Sequence, residues 1–224
     1  SSYYPPSWNT LTKNWFSYEE AALSEAARCL QCSSLCDKCV EVCPNRANYT
    51  YTIHPVDLRL PRIVCQQGKL TTKGEEVFTL DQTRQVIHID DFCNECGNCA
   101  TFCVHNGKPY VDKPRLFLRE KDFALEEDNA FYIERTGTGW SIRRREGGKE
   151  ARLSVDEGSG DVLFENDLLR MQMSPAGFQI KAMEMKNEFR GEFSLVSPAE
   201  MYVILSGLST SLSFLPFEET ATHR

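Results

Sequence analysis

The chain has 224 residues, ten of them cysteine, with 41% hydrophobic and 25% charged residues. That is the composition of a folded protein and not of a disordered one. The formal charge of -7 excludes a general nucleic-acid binder, which needs a basic footprint, and suits a soluble protein that meets a basic partner surface.

Residues 1–16 read as an arm, with Pro5 and Pro6, the aromatics Trp8, Trp15 and Phe16, and little periodicity. No basic region followed by an apolar core opens the sequence, so no secretory signal is recognisable. The chain also lacks an initiating Met, which lessens the weight of that absence. The expectation is a cytoplasmic, reducing setting, where cysteines serve as ligands sooner than as disulfides. Ser17 and Glu20 form an S-x-x-E capping box, and Leu23, Ala26, Ala27 and Leu30 follow on one face. A helix is therefore expected from Ser17 into Cys29, and residues 1–28 are assigned as arm and linker helix.

Residues 29–120 hold every cysteine. Ala47–Ile53 alternates aromatic and β-branched residues and predicts a strand. Gln85–Asp90 predicts another, leading into Cys93. Between them Pro55, Pro61, Gly68 and Gly74 mark loops, which makes 54–84 an insert. His88 is expected on the polar face of its strand.

From Phe131 onward, cysteines vanish and apolar residues alternate in short runs separated by Gly, Asn, Asp and Pro. This predicts an antiparallel meander. Arg143, Arg144 and Arg145 are expected at a solvated hairpin end before Gly147. Ser197 and Glu200 form a second capping box with Pro198 at the first helical position, opening a helix that ends before Pro216. The most apolar stretch, Met201 to Phe217, is broken by Ser206, Gly207, Ser209, Thr210, Ser211 and Ser213, so no membrane span is expected. Residues 121–224 are read as a small antiparallel β domain with a C-terminal helix.

Chemistry concentrates in two cysteine runs. Cys93, Cys96, Cys99 and Cys103 have the spacing C-x2-C-x2-C-x3-C. That spacing folds a loop so that three thiolates converge on one iron–sulfur cubane while the fourth points to another cluster. Soft thiolate sulfur matches iron and compensates its positive charge. The first run contains Cys29, Cys32, Cys36, Cys39 and Cys43, the last followed by Pro44. Its C-x2-C-x3-C-P ending fits the same pattern, with the preceding cysteine one residue early. The expectation is crossed ligation of two 4Fe-4S clusters. Cys32, Cys36, Cys39 and Cys103 hold one; Cys93, Cys96, Cys99 and Cys43 hold the other; Cys29 is the alternative to Cys32. A zinc-stabilised interaction module without redox role stays open as the second reading. Cys65 is read as a packed thiol. No nucleotide-binding glycine motif and no catalytic residue set stands out, so no catalytic residue is assigned.

The segment E-A-A-R-C-L-Q-C (Glu25–Cys32) resembles the linker by which iron–sulfur modules join flavin-dependent pyridine-nucleotide oxidoreductases of the glutamate synthase small-subunit type. Cys36–Asn48 and Asp91–Tyr110 together resemble the C-terminal ferredoxin region of the selenate reductase iron–sulfur subunit. Two departures stand out: the long insert between Cys43 and Cys93, and Val104 where a Pro usually follows the last cysteine. The resemblance implies a flavoprotein partner domain or subunit bearing FAD and NAD(P)H. It also implies electrons leaving through the clusters, for example to a molybdenum-containing oxidoreductase. The expected fold class is α+β: a bacterial-type 2×4Fe-4S ferredoxin-like module followed by the small antiparallel β domain.

Overall fold

The computed structural model describes residues 36–219. The helix expected from Ser17, with Cys29 and Cys32, lies outside the described residues. The chain is built mainly of strands: β1 (Asn48–Thr52), β2 (Val56–Gln66), β3 (Lys69–Leu80), β4 (Arg84–Ile89), β5 (Arg115–Phe117), β6 (Ala130–Thr136), β7 (Gly139–Glu146), β8 (Lys149–Asp156), β9 (Val162–Glu165), β10 (Leu169–Met173), β11 (Ile180–Met185), β12 (Glu192–Phe193) and β13 (Glu218–Glu219). Four helices are single turns: α1 (Lys38–Glu41), α2 (Asn98–Thr101), α3 (Pro109–Asp112) and α4 (Glu120–Phe123). Only α5 (Val196–Ser211) among the described helices is long, at 16 residues.

A ten-stranded sheet runs in the order β1-β4-β5-β6-β7-β8-β9-β10-β11. β13 adds to it by pairing in parallel with β6, in the lane that β5 vacates beyond Tyr132. The pairings β4–β5 and β5–β6 are parallel, and the pairings from β6 to β11 are antiparallel. This corrects the expected α+β class. There is no ferredoxin-like module set apart from a small antiparallel domain: the structure is mostly β, and one large mixed sheet runs through both the cysteine region and the meander. The reason is the pair of parallel links through β5, a strand too short to show in the alternation of the sequence.

The insert is also more ordered than its Pro and Gly residues suggest. β2 and β3 form a long hairpin turning at Gln67 and Gly68, and with β12 they make a second, three-stranded sheet. Pro61 sits where the β2–β3 register shifts, and Gly74 has φ +68° on the facing strand. A bulge tolerates both, because the local ladder hydrogen bond is already interrupted there.

One core joins the two sheets and α5. Tyr51, Leu60, Ile87, Leu116, Ile142 and Leu205 are all buried in it. Helix α5 lies against β1, β7 and β8. A Cβ at Gly207 would stand 2.6 Å from the Tyr51 ring, so only glycine permits this approach of helix to strand. The arginine run does not form a solvated turn. It lies on β7, where Arg144 donates to Glu200 at 2.8 Å and to Ser197 at 3.1 Å, both from α5.

Candidate functional site

Strand β4 has two working faces. Ile87 and Ile89 enter the main core, while Val86 packs with Cys39 and Cys99 under the cysteine loops. Helices α1 and α2 rest against each other there and carry those two thiols, each 7% exposed. A four-residue helix does not persist alone in water, so tertiary contacts hold both turns in place. Gly97, at φ +79°, begins α2 and turns the loop between Cys96 and Cys99 through a conformation that glycine adopts freely.

The second cysteine loop is pinned at its entrance. Asp90 accepts from Arg115 at 2.8 and 3.0 Å, and Arg115 also donates to Glu126 at 2.9 Å. Asp91 accepts from the Leu118 amide at 2.8 Å and from Arg119 at 2.9 Å. These carboxylates fix the turn Asp90–Phe92 directly before Cys93.

The two runs fold alike. The Ala47 amide donates to Cys43 Sγ at 3.2 Å, and the Gly107 amide donates to Cys103 Sγ at 3.3 Å, each four residues on. In each run the residue before that amide, Arg46 or Asn106, has positive φ. The Glu95 amide donates to Cys93 Sγ at 3.3 Å.

Cys43, from the first run, lines a small cavity together with Cys93, Cys96 and Cys99 from the second. Cys103 does not line that cavity; Cys99, Cys36 and Cys103 are the cysteines whose charge Cys39 feels. Cys36, Cys39 and Cys103 thus form a second neighbourhood. The residues assigned as its fourth ligand, Cys32 or Cys29, lie outside the described residues. Burial pushes the Cys39 thiol up to about 11, with Lys113 opposing, and burial also raises Cys93 and Cys99. Thiols held protonated in this way are poor nucleophiles.

Among the described residues, no three His, Cys, Asp or Glu side chains come close enough together to hold a single metal ion. The described residues therefore present no ready-made chelate for a single ion, and the ferredoxin-like module expected from the sequence is not found among them. The four thiols at the cavity, Cys43, Cys93, Cys96 and Cys99, are soft sulfur donors of the type that iron and zinc both take.

Cys65 stands apart on β2, its Sγ 3.4 Å from Met185 Sδ. His54 and His105 are exposed. His88 departs from its expected polar face: it is 1% exposed, lines the four-cysteine cavity, and pairs through Nδ1 with Asn48 Oδ1 at 2.9 Å. The signal in the sequence was its place on the strand that feeds Cys93. Alternation misleads there because β4 is covered on both faces.

No family model matches the chain, and no solved structure matches it. Over 110 residues, 49% of its length, the chain is 40% identical to "Putative oxidoreductase YgfK" of Escherichia coli (strain K12), and equally so to the protein of that name from Escherichia coli O157:H7. The chain spans 8% of the length of these relatives. The likeness is to proteins named as oxidoreductases and supports a redox role in general. It does not single out the selenate reductase subunit. Among the described residues no helix is long and apolar enough to cross a membrane.

Proposed function

We propose that the chain carries two 4Fe-4S clusters in its cysteine runs and relays single electrons between a flavin domain and a terminal oxidoreductase. The flavin domain or subunit would bear FAD and NAD(P)H, and the acceptor would be a partner such as a molybdenum enzyme, in the cytoplasm. One observation carries this reading: thiols from runs fifty residues apart, Cys43 and Cys93, meet with Cys96 and Cys99 round one cavity. One cluster is assigned to these four. The other is assigned to Cys36, Cys39 and Cys103 with Cys32, or with Cys29 in its place.

When bound, such a group takes up and releases one electron at a time. The residues of the chain supply the rest. The thiols hold the geometry, and the amides of Ala47, Glu95 and Gly107 donate to sulfur and set its electron density. Val40, Val42, Val86 and Tyr110 pack round Cys39 and Cys99 and keep water from them. A single zinc ion would need four ligands within about 2.3 Å of one point. No such grouping occurs among the described residues.

Purified anaerobically, the full chain should be brown, contain about eight irons, and bleach with dithionite. Cys99→Ser should lose about half the iron, because each cubane needs four thiolates, whereas Cys65→Ser should keep all of it. A colourless protein containing zinc, or full iron in Cys99→Ser, would refute the assignment.

A further inference from the structure

Asn48 and His88 face each other in register on β1 and β4, below the cysteine loops. Both line the cavity formed with Cys43, Cys93, Cys96 and Cys99, and they are 2% and 1% exposed. Asn48 Nδ2 donates to the Cys39 carbonyl at 3.0 Å, so its other amide atom, Oδ1, is the one turned to the histidine. Two acceptors cannot pair, so Nδ1 of His88 carries the proton and Nε2 is left with a lone pair. That Nε2 is buried and has no hydrogen-bond partner among the described residues. A second proton on Nε2 would find no acceptor in that buried place, so the ring is neutral.

We propose that His88, a side chain that lines the cavity, sets the reduction potential of the cluster assigned to Cys43, Cys93, Cys96 and Cys99, holding it low through its fixed, unprotonated ring nitrogen. The inference rests on the cluster reading above. A neutral imidazole protonated at Nδ1 carries the negative end of its dipole at Nε2. Placed beside a centre that gains an electron on reduction, that end opposes the gain, and low-dielectric surroundings magnify the effect. Asn48 is a positioning residue: it fixes the tautomer and ties the ring to the backbone of Cys39, which belongs to the other cysteine group.

The test is His88→Phe in the full, iron-loaded chain, because phenylalanine keeps a ring and removes the dipole. In a redox titration followed by EPR, the midpoint potential of one cluster should move to more positive values. The other cluster should stay in place, and iron content should be unchanged. A midpoint that does not move, or that moves negative, overturns the proposal. So does loss of iron, which would make His88 a ligand. Should His88→Phe not fold, a His105→Gln chain labelled with nitrogen-15 histidine decides the matter. Pulsed EPR of the reduced chain should show weak coupling to a histidine nitrogen. No coupling, or the strong coupling of a directly bonded nitrogen, overturns the proposal. An iron-free chain would refute the cluster reading itself, a result distinct from an iron-loaded chain whose potential stays put.

Discussion

From β6 to β11, each strand pairs with its neighbour in sequence and buries alternate residues, as in the buried Leu169, Met171 and Met173 of β10. At the other end of the sheet, the cysteine loops wrap single-turn helices round a small cluster whose buried members are Cys39, Val86 and Cys99. The meander carries its stability in its own ladders and in the large core that it shares with the second sheet and α5. In the cysteine region, two of three buried apolar residues are assigned ligands, so the groups that would bind metal are also the groups that pack. With the clusters proposed above, loading and folding would be coupled at one end of the sheet and separate at the other.

The sharpest way to break this comparison is to strip the iron. With a chelator present, the amides of Ala47, Glu95 and Gly107 should exchange hydrogen on the order of tenfold faster or more, as locally opened segments do. The amides of β7 and β8 should keep their protection. Equal acceleration in both regions would show that the sheet responds as one unit.

A smaller effect is expected from the meander side. Arg144 and Glu200 have 7% and 6% of their side-chain surface exposed, and Arg144 also meets the exposed Glu146 at 2.7 Å. Glu200→Ala should cost about 3 kcal/mol in urea unfolding, the low end for breaking a buried pair, because Glu146 still serves the arginine. Iron content should not change.

The smallest expected effect concerns His88 and acid. Its folded pKa is lowered from 6.5 to about 4, so between those values the unfolded chain binds the proton that the folded chain refuses. Stability contributed by the neutral ring is complete above pH 6.5 and is lost progressively as pH falls toward 4. His88→Phe should flatten that part of the stability–pH curve. An unchanged slope would mean that the acid sensitivity comes from elsewhere in the chain.

Much of the local structure was legible in the sequence. The alternation in Ala47–Ile53 and Gln85–Asp90 marks β1 and β4, and the repeated turn residues after Phe131 mark the meander strands. The spacing of the two runs also set Cys43 apart from its own loop, and Cys43 lines one cavity with Cys93, Cys96 and Cys99. Three features were not legible. Pro61 and Gly74 read as loop because a single sequence does not reveal that they lie on paired strands at one bulge. Arg144 read as solvated because its partner, Glu200, lies on a distant helix. The continuity of the sheet was hidden because it depends on β5, three residues long, whose pairing on both sides is a tertiary fact.

The parallel pairing of β4 with β5 also sets an order of events for a newly made chain. His88 and Arg115 come into register only after everything between them, the whole second cysteine loop, has been closed. Hairpins such as β7–β8 need no such wait. Loop closure has an entropic cost that rises with the length enclosed, and non-local pairings form slowly for that reason. The meander is thus expected to assemble early and the cysteine end late, leaving Cys93, Cys96 and Cys99 reachable by whatever delivers iron until β5 docks.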